Sequence, residues 1–550
     1  MYTQPGIVGY HRENMKTQTA PQKKYSTELL SIALAAKWAT SYLKKEVSES
    51  NISYLIQYGK IKKHGQNGSP FVDKRDLQRY YDSFNGQREI HWKKNLGKDI
   101  NWALSFDHLR EIDTTKHVHR LHPYKGKFIP QLVEYFIDNH INDFKKEIYF
   151  EKGDIILDPF AGSGTTLVQA SELGLHSIGI DISHFNCTIA EVKLIECNLS
   201  VLQKDAQDIL TSLDTMETDF KIEEFTNELS ESLARFNAQN FPSPAFKYKV
   251  YRIEIKEAEY AEEKEAIFLE IYNRLVRKYN IALQQEESNT FLDKWYCSNV
   301  RKEIDFVFDL IKKNKSIKMK KILAVILSRT IRSCRATTHS DLATLKTPQL
   351  TTYYCYKHKK ICKPIFSIKN MFLRYARDTI DRLENFSTLR SAAYSNLFPA
   401  DSRTVNIHEK IKRANPKFFK ILVKRGIKGI FSSPPYVGQI DYHEQHAYAY
   451  DLFGYKRKDE LEIGPLFKGR GIEARKSYAE GVSDVLLNCK KYMSNNYNVF
   501  LVANDKFNLY PEIASRSGMK IVTQFKRPVL NRTERDRTPY SEIIFHLRNK

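Results

Sequence analysis

The sequence predicts an α/β fold, a largely parallel sheet interleaved with helices and interrupted by one long insert. Three observations lead there. Apolar runs of strand length, Ile155–Leu157 and Ile427–Phe431, each run straight into a distinctive loop: Asp158-Pro-Phe-Ala-Gly-Ser-Gly-Thr-Thr166 after the first and Ser433-Pro-Pro-Tyr436 after the second. Strand-like and helix-like stretches alternate around both loops, the pattern of a parallel sheet. Finally, 550 residues exceed one ordinary core, so two to four domains are expected.

Residues 1–25 are polar and read as a mobile arm. From Glu28 to Lys44 the apolar positions Leu30, Leu34, Ala35 and Trp38 recur with helical spacing. Ser48 stands where an N-cap belongs, and Ser50–Tyr58 forms a second short helix ending before Gly59. A basic turn, Lys60–Gly68, leads to Phe71-Val72, and Asp73 caps a further helix. This succession, residues 26–85, resembles the winged helix-turn-helix of excisionase and MerR-type modules. The resemblance implies that the second helix, with Asn51 and Tyr54, enters the major groove while Lys60, Lys62 and Lys63 touch phosphate. The alternative is a small helical domain that packs against protein.

Residues 86–120 connect this module to the next. A core segment at 121–200 holds a turn-rich stretch, Leu121–Pro130, the helix Gln131–Asn139, the strand Ile155–Asp158, a helix from Thr165 to Leu173 and the strand Ser177–Asp181. Residues 201–390 break the alternation with charged helical stretches such as Glu259–Lys278 and Arg301–Lys313. The rhythm resumes over 391–550 with strands at Val405, Ile427–Ser432, Val499–Ala503, Lys520–Phe525 and Glu542–Leu547, the last two antiparallel.

Composition narrows the function. Lys and Arg number 87 against 65 Asp and Glu, a net charge of +22 that favours a polyanionic partner, although a compositional bias toward lysine would raise the same number. Seven scattered cysteines form no disulfide framework, which points to a reducing cytoplasm. The first residues lack a signal pattern, and no apolar run approaches the length of a membrane span.

Together the two loops resemble the cofactor loop and catalytic loop of S-adenosylmethionine-dependent DNA amino-methyltransferases, over about 120–200 and 390–550. The resemblance implies a Rossmann-like methyltransferase sheet carrying a large inserted recognition domain and the N-terminal winged helix-turn-helix. It also implies S-adenosylmethionine as cofactor, double-stranded DNA as substrate, and a cognate restriction endonuclease as partner. Gly162 and Gly164 let backbone approach the cofactor closely, and Thr165 opens the following helix. Phe160 packs against the methionine portion and Asp158 helps hold its ammonium. Lys127 and Phe128 belong to a His-Pro-Tyr…Lys-Phe…Pro segment that covers that end in the family. Asp181 ends the second strand, where an acid receives ribose hydroxyls in Rossmann-like folds. Asp401, in Ala400-Asp-Ser-Arg403, resembles the acid that meets the adenine amine. A Walker loop is disfavoured because Thr165-Thr166 replaces Lys-Ser/Thr, and Leu167 spoils a dinucleotide fingerprint.

An exocyclic base amine is a poor nucleophile because its lone pair is delocalised into the ring. Ser433 Oγ and the Pro434 carbonyl can accept hydrogen bonds from its two N–H groups, Pro435 stiffens the loop, and Tyr436 can stack on an extruded base. Cytosine C5 chemistry needs a Pro-Cys nucleophile, a dipeptide this chain lacks. Ser-Pro-Pro-Tyr resembles the cytosine-N4 group, with adenine N6 the alternative; an RNA amino-methyltransferase and a non-catalytic DNA-binding regulator are further ones. After the loop, Asp441, His443 and His446 read as pocket lining rather than a zinc or general-base site.

The insert ends in a basic stretch. Arg329, Arg332 and Arg335 are candidates for phosphate or guanine contacts there. Cys355-Tyr-Lys-His358-Lys-Lys-Ile-Cys362 has spacing a metal could use, with Cys334 or His339 as fourth ligand. Buried, metal-free cysteine is the expectation, and no metal is assigned.

Overall fold

The computed structural model describes residues 28–65, 70–83, 87, 91–92, 94–96, 100–106, 109, 111–124, 126–216, 220–285, 289–339, 347–529 and 540–550. The proposed arm, residues 1–25, lies outside them. The chain divides into two compact units, one of residues Met1–Gln87 and Pro242–Lys256, the other of Arg88–Phe241 and Glu257–Lys550.

In the first unit, strand β1 (Leu29–Ser31) leads directly into the helix Ile32–Leu43, which Ser31 caps through the amide of Leu34. The helical pattern expected from Glu28 thus begins one turn late. Ser48 and Asn51 form a reciprocal capping box at the start of the helix Glu49–Gln57. β2 (Phe71–Asp73) pairs antiparallel with β1, and Asp73 caps the helix Lys74–Asp82. Leu30, Ala35, Ile52, Leu55, Val72 and Leu77 form a small buried core.

Residues 242–256, expected within the insert, instead complete this unit. A Cβ at Gly59 would come 2.5 Å from the Lys247 carbonyl carbon, so only glycine, here with φ +69°, lets the two backbones meet. Lys247 also donates to the Gln57 carbonyl (3.1 Å), and the Lys60 ammonium lies 4.9 Å from the Tyr251 ring centre.

The second unit is built on a seven-stranded sheet. Its strands are β3 (Ile155–Asp158), β4 (His176–Asp181), β7 (Ser395–Pro399), β8 (Ile427–Ser432), β9 (Met493–Ala503), β10 (Met519–Pro528) and β11 (Ser541–Asn549). The intervening β5 (Tyr353–Cys355) and β6 (Lys360–Cys362) pair apart from it as a hairpin. Across the large sheet the order is β10-β11-β9-β8-β3-β4-β7. The five from β9 through β7 run parallel, while β11 is antiparallel to both of its neighbours. The parallel, then antiparallel, order is as the sequence predicts, with one correction. The strand placed at Val405 is Ser395–Pro399; Val405 is a buried residue of the turn that follows. β7 pairs with β4 alone, and only Phe398 of its five residues is buried, so it carries little hydrophobic signal.

Buried side chains from both sheet faces form two apolar layers, one around Leu157, Ile178, Ile430 and Val485, the other around Phe136, Phe431 and Phe500. From β3 the chain winds toward β4 and β7 on one side, and toward β8 and β9 on the other. The order reverses at the β3–β8 boundary, and open α/β sheets leave a crevice at the carboxyl ends of such strands.

Between β4 and β7 the chain forms long helices, among them Leu199–Thr215, Phe220–Asn240, Glu257–Tyr279, Ser298–Lys313, Ile317–Ser333 and Lys369–Ser387, together with the β5–β6 hairpin. The helix Ile317–Ser333 is buried over most of its length, and Lys321 pairs with Glu191 at 2.6 Å. Apart from residues 242–256, the insert therefore belongs to the same compact unit as the sheet.

Candidate active site

At the reversal point lies a cavity of about 850 Å³, its open mouth included, with Asp158, Asp181, Asp401 and Ser433 on its wall. That is the size of a site for a small organic ligand. Parallel register brings the two motif loops together. Leu157 pairs with Ile430, so the strands end side by side, and Ser432 Oγ donates to Asp158 (2.6 Å) across 274 residues of chain. Thr166 Oγ1 ties the glycine loop to the Phe431 carbonyl at 3.1 Å.

The glycine loop is held by one acid. Asp181, at the end of β4, accepts from the amides of Gly162 (2.8 Å) and Ser183 (2.8 Å) and from Asn186 Nδ2 (3.1 Å). It therefore shapes the loop as well as facing the cavity. Gly162, at φ +48°, lies so close to Tyr124 that an added Cβ would fall 2.8 Å from the hydroxyl. Gly164 does its work behind the wall, where a Cβ would meet Ala190 Cβ at 2.7 Å. The fully buried Lys193 donates to the Ser163 carbonyl from below, with its pKa pushed well down by burial.

Asp158 is buried, and loss of solvation pushes its pKa up to about 6, although hydrogen bonds from Ser432, Thr166 and the Phe160 amide pull the other way. A cation beside this carboxyl lowers its pKa again, so binding a ligand with an ammonium there releases a proton at pH values near 6 and below. Affinity for such a ligand is expected to fall as pH drops through about 6, approaching about tenfold per unit. Titration calorimetry with S-adenosylhomocysteine at pH 6 in two buffers of different ionisation heat measures that proton release; none would reject the contact.

Phe160 and Thr165 line the cavity, as do Lys127 and Phe128 from the loop before the helix Pro130–Ile137. Lys127 donates to the His119 carbonyl, and burial lowers its pKa to about 8. Phe128 packs edge-on against Phe431. Asp401 is on the wall too, but Arg403 binds both of its oxygens (2.6–3.1 Å), which leaves only remaining lone pairs for a ligand. Burial alone would raise the Asp401 pKa, and the arginine more than offsets this, holding it below the usual carboxylate value.

In the catalytic motif Ser433 and Pro435 face this cavity and Pro434 is buried. Tyr436 faces a second, separate cavity with Asn504, Tyr510, Lys526 and Tyr540, and its hydroxyl donates to Glu542 at 3.0 Å. The Ser433–Tyr436 loop thus forms part of the wall of both cavities. His443 pairs with Glu462, whose residue lines the first cavity, and His446 is buried against His122 and Phe185. Burial, with Arg332 and Arg335 nearby, lowers the His446 pKa to about 3, so the ring is neutral at physiological pH.

Sequence reasoning missed Tyr124, Asn186, Tyr442 and Glu462 on the cavity wall. Only Tyr124 carried a signal, as the tyrosine of His-Pro-Tyr; the others come from segments with no motif. Two of the arginines proposed for DNA contact are interior. Arg329, 6% exposed, bonds Asp378 and Thr379 and sits 4.5 Å from the Tyr375 ring centre. Arg335, also 6% exposed, lies 5.4 Å from the Tyr448 ring centre. Both sit at one end of the buried helix Ile317–Ser333, where packing against neighbouring elements takes the guanidinium groups out of solvent; Arg332 keeps partial exposure. In the first unit, Asn51 is exposed with its amide oxygen occupied by Ser48, while Tyr54, Lys62 and Lys63 are exposed. Cys355, His358 and Cys362 lie in the insert hairpin, away from both cavities.

Residues 13–192 match the family model described as DNA methylase, of the N6/N4 class. Over 534 residues, 96% of this chain and 98% of the relative, the sequence is 47% identical to the Type II methyltransferase M.MjaII of Methanocaldococcus jannaschii. The chain belongs to the Type II DNA methyltransferases of the N6/N4 family. Shorter matches reach the Type II methyltransferases M.BsoBI of Geobacillus stearothermophilus, 36% identical over 22% of this chain and 21% of that one, and M.MvaI of Kocuria varians, 29% over 24% and 27%.

A Type II DNA methyltransferase takes its methyl group from S-adenosylmethionine, and the first cavity fits that cofactor on its own chemistry. Ser163 Oγ and Asn186 Oδ1, from two residues of its wall, are buried without a hydrogen-bond partner in the protein. An acid at each strand end suits an ammonium and a ribose diol. No helix among the described residues is long and apolar enough to cross a membrane.

Proposed function

We propose that this enzyme methylates cytosine N4 in a specific double-stranded DNA sequence, on a base turned out of the helix, as the modification partner of a cognate restriction endonuclease. The observation that carries the reading is the Ser433-Pro-Pro-Tyr436 loop, which borders the cofactor cavity on one side and an aromatic-lined cavity on the other.

S-adenosylmethionine supplies, when bound, an electrophilic methyl group on a sulfonium. Asp181, Asp158 and Asp401 hold its ribose, ammonium and adenine ends. The target base enters the second cavity, stacked on Tyr436. Ser433 Oγ and the Pro434 carbonyl accept hydrogen bonds from the two amine N–H groups, which turns the nitrogen lone pair out of the ring and toward the methyl. Proximity and alignment of the amine with the bound methyl group would drive the transfer. The surplus proton then leaves an acidic ammonium without need of a strong base. A serine rather than an acid in this loop favours cytosine over adenine N6.

Mass spectrometry of nucleosides from methylated DNA tests the assignment. N4-methylcytosine is expected; N6-methyladenine alone would reverse the base and leave the amine mechanism standing.

The N-terminal unit is the proposed winged helix-turn-helix, with Lys62 and Lys63 against phosphate. In the full-length protein, Lys62→Gln with Lys63→Gln is expected to flatten the slope of log affinity for DNA against log salt by about 1.8, roughly 0.9 for each phosphate no longer neutralised. Cofactor affinity should not change. An unaltered slope in salt titrations by anisotropy would remove this unit from the DNA interface. The target sequence would be read by this unit together with the insert, where Arg332 and the exposed Lys357 and Lys360 remain available.

A further inference from the structure

The insert gathers four metal-ligating side chains from three points on the chain. His339, Cys355, His358 and Cys362 each place a nitrogen or sulfur within 4.8 Å of all the others. Cys355 Sγ lies 3.6 Å from His339 Nδ1, and Cys362 Sγ lies 3.6 Å from His358 Nδ1. Around a tetrahedral zinc with bonds of about 2.3 Å to sulfur and 2.0–2.1 Å to nitrogen, the sulfur–nitrogen edge is about 3.5 Å. Both observed edges match it. Seven cysteines of the chain are unpaired, and these two are buried.

Two further features point to a ligand. The His358 amide donates to Cys355 Sγ at 3.4 Å, within Cys355-Tyr-Lys-His358, and an N–H directed at sulfur stabilises a thiolate. The turn that allows this passes through Lys359 at φ +56°. Second, the face of the hairpin that carries the cysteines buries only a small cluster. β5 and β6 are three residues each, and the local buried cluster is Tyr353, Cys355 and Cys362. Tyr354 packs against Phe241 and Ile361 bonds Asn237, and a bound metal among the cysteines and histidines would contribute further folding energy directly.

We propose that His339, Cys355, His358 and Cys362 form a structural zinc site in the insert of this methyltransferase. Zinc binds both sulfurs as thiolates and both imidazoles in the neutral form. Zinc on His339 Nδ1 would replace the hydrogen bond that the Tyr353 hydroxyl makes to it at 2.7 Å. The complete Cys₂His₂ shell leaves no open position, which assigns the metal to structure and not to methyl transfer. It joins the segment after the helix Ile317–Ser333 to the hairpin that displays Lys357 and Lys360, and so fixes the shape of a basic surface.

The test uses full-length protein reconstituted with zinc and measured by plasma mass spectrometry. About one zinc per chain is expected, lost in the double variant Cys355→Ser, Cys362→Ser and retained in Cys489→Ser, a buried cysteine elsewhere. Metal-free wild type after reconstitution, zinc retained by the double variant, or a Cys355–Cys362 disulfide in peptide mapping would each overturn the site. Should the double variant not fold, X-ray absorption on zinc-loaded wild type decides. Two sulfur and two nitrogen neighbours support the site, and a shell of nitrogen and oxygen alone defeats it.

Discussion

Replacing Ser433 by Ala is expected to cut the methyl-transfer rate by about a hundredfold or more while cofactor and DNA still bind. Ser433 faces the cofactor cavity at the end of β8, beside the strand that carries Asp158. Its hydroxyl is proposed to accept a hydrogen bond from one amine N–H, and that bond strengthens as the nitrogen gains positive charge. Losing a donor or acceptor positioned for the transition state typically costs a factor of about 10²–10³. Single-turnover transfer of labelled methyl to DNA, with cofactor and DNA saturating, isolates the chemical step. Ser433→Asp supplies an acceptor again, and should recover part of the rate that Ala loses. If Ala turned over like wild type, the serine would have no place in catalysis.

Asp181→Ala is expected to weaken cofactor binding by about a hundredfold, roughly 2.7 kcal/mol. The geometry makes the effect larger than the loss of a single ribose hydrogen bond. Asp181 accepts from Gly162 in the glycine loop and from Ser183 and Asn186 after β4, and the alanine variant leaves all three donors without their acceptor. Asp181→Asn keeps the shape and one acceptor oxygen but turns an NH₂ toward one set of donors, so it should fall between alanine and wild type. Calorimetric titration with S-adenosylhomocysteine measures both, with thermal unfolding as a control for the fold. An alanine variant that bound like wild type would remove Asp181 from both roles.

Burial gives the site its pH response and its rigidity together. Asp158 and Lys193 are both held out of water beneath the glycine loop, and desolvation moves each toward its neutral form. Their hydrogen bonds, from Ser432 to the acid and from the lysine to the Ser163 carbonyl, fix the loop before any ligand arrives. Preorganisation of this kind reduces what binding must order.

The acids and the glycine loop of the first cavity were legible in the sequence because their demands are local. A backbone bend against Tyr124 requires glycine at 162, and a strand ending in an acid carries its own apolar signature at Ile155–Asp158 and again at His176–Asp181. The Ser-Pro-Pro-Tyr loop is likewise self-contained. Edge strand β7 was misplaced at Val405 because a strand paired on one side only, with one buried residue, carries almost no alternation. Arg329 and Arg335 looked like a basic surface because side-chain charge is visible in a sequence and burial is not.

The sequence by itself determined the alternating α/β class, the two loops, the chemistry they can perform and the capped helices of the N-terminal unit, all set by interactions within a few residues. The tertiary structure alone decided which distant segments meet. The parallel register of β3 with β8 set Ser432 against Asp158, the return of residues 242–256 completed the first unit, and the approach of His339 to a hairpin gathered four metal ligands. The physical reason is that parallel pairing and helix packing depend on shape and burial across long loops. Local residue preferences carry no information about which partner lies at the far end.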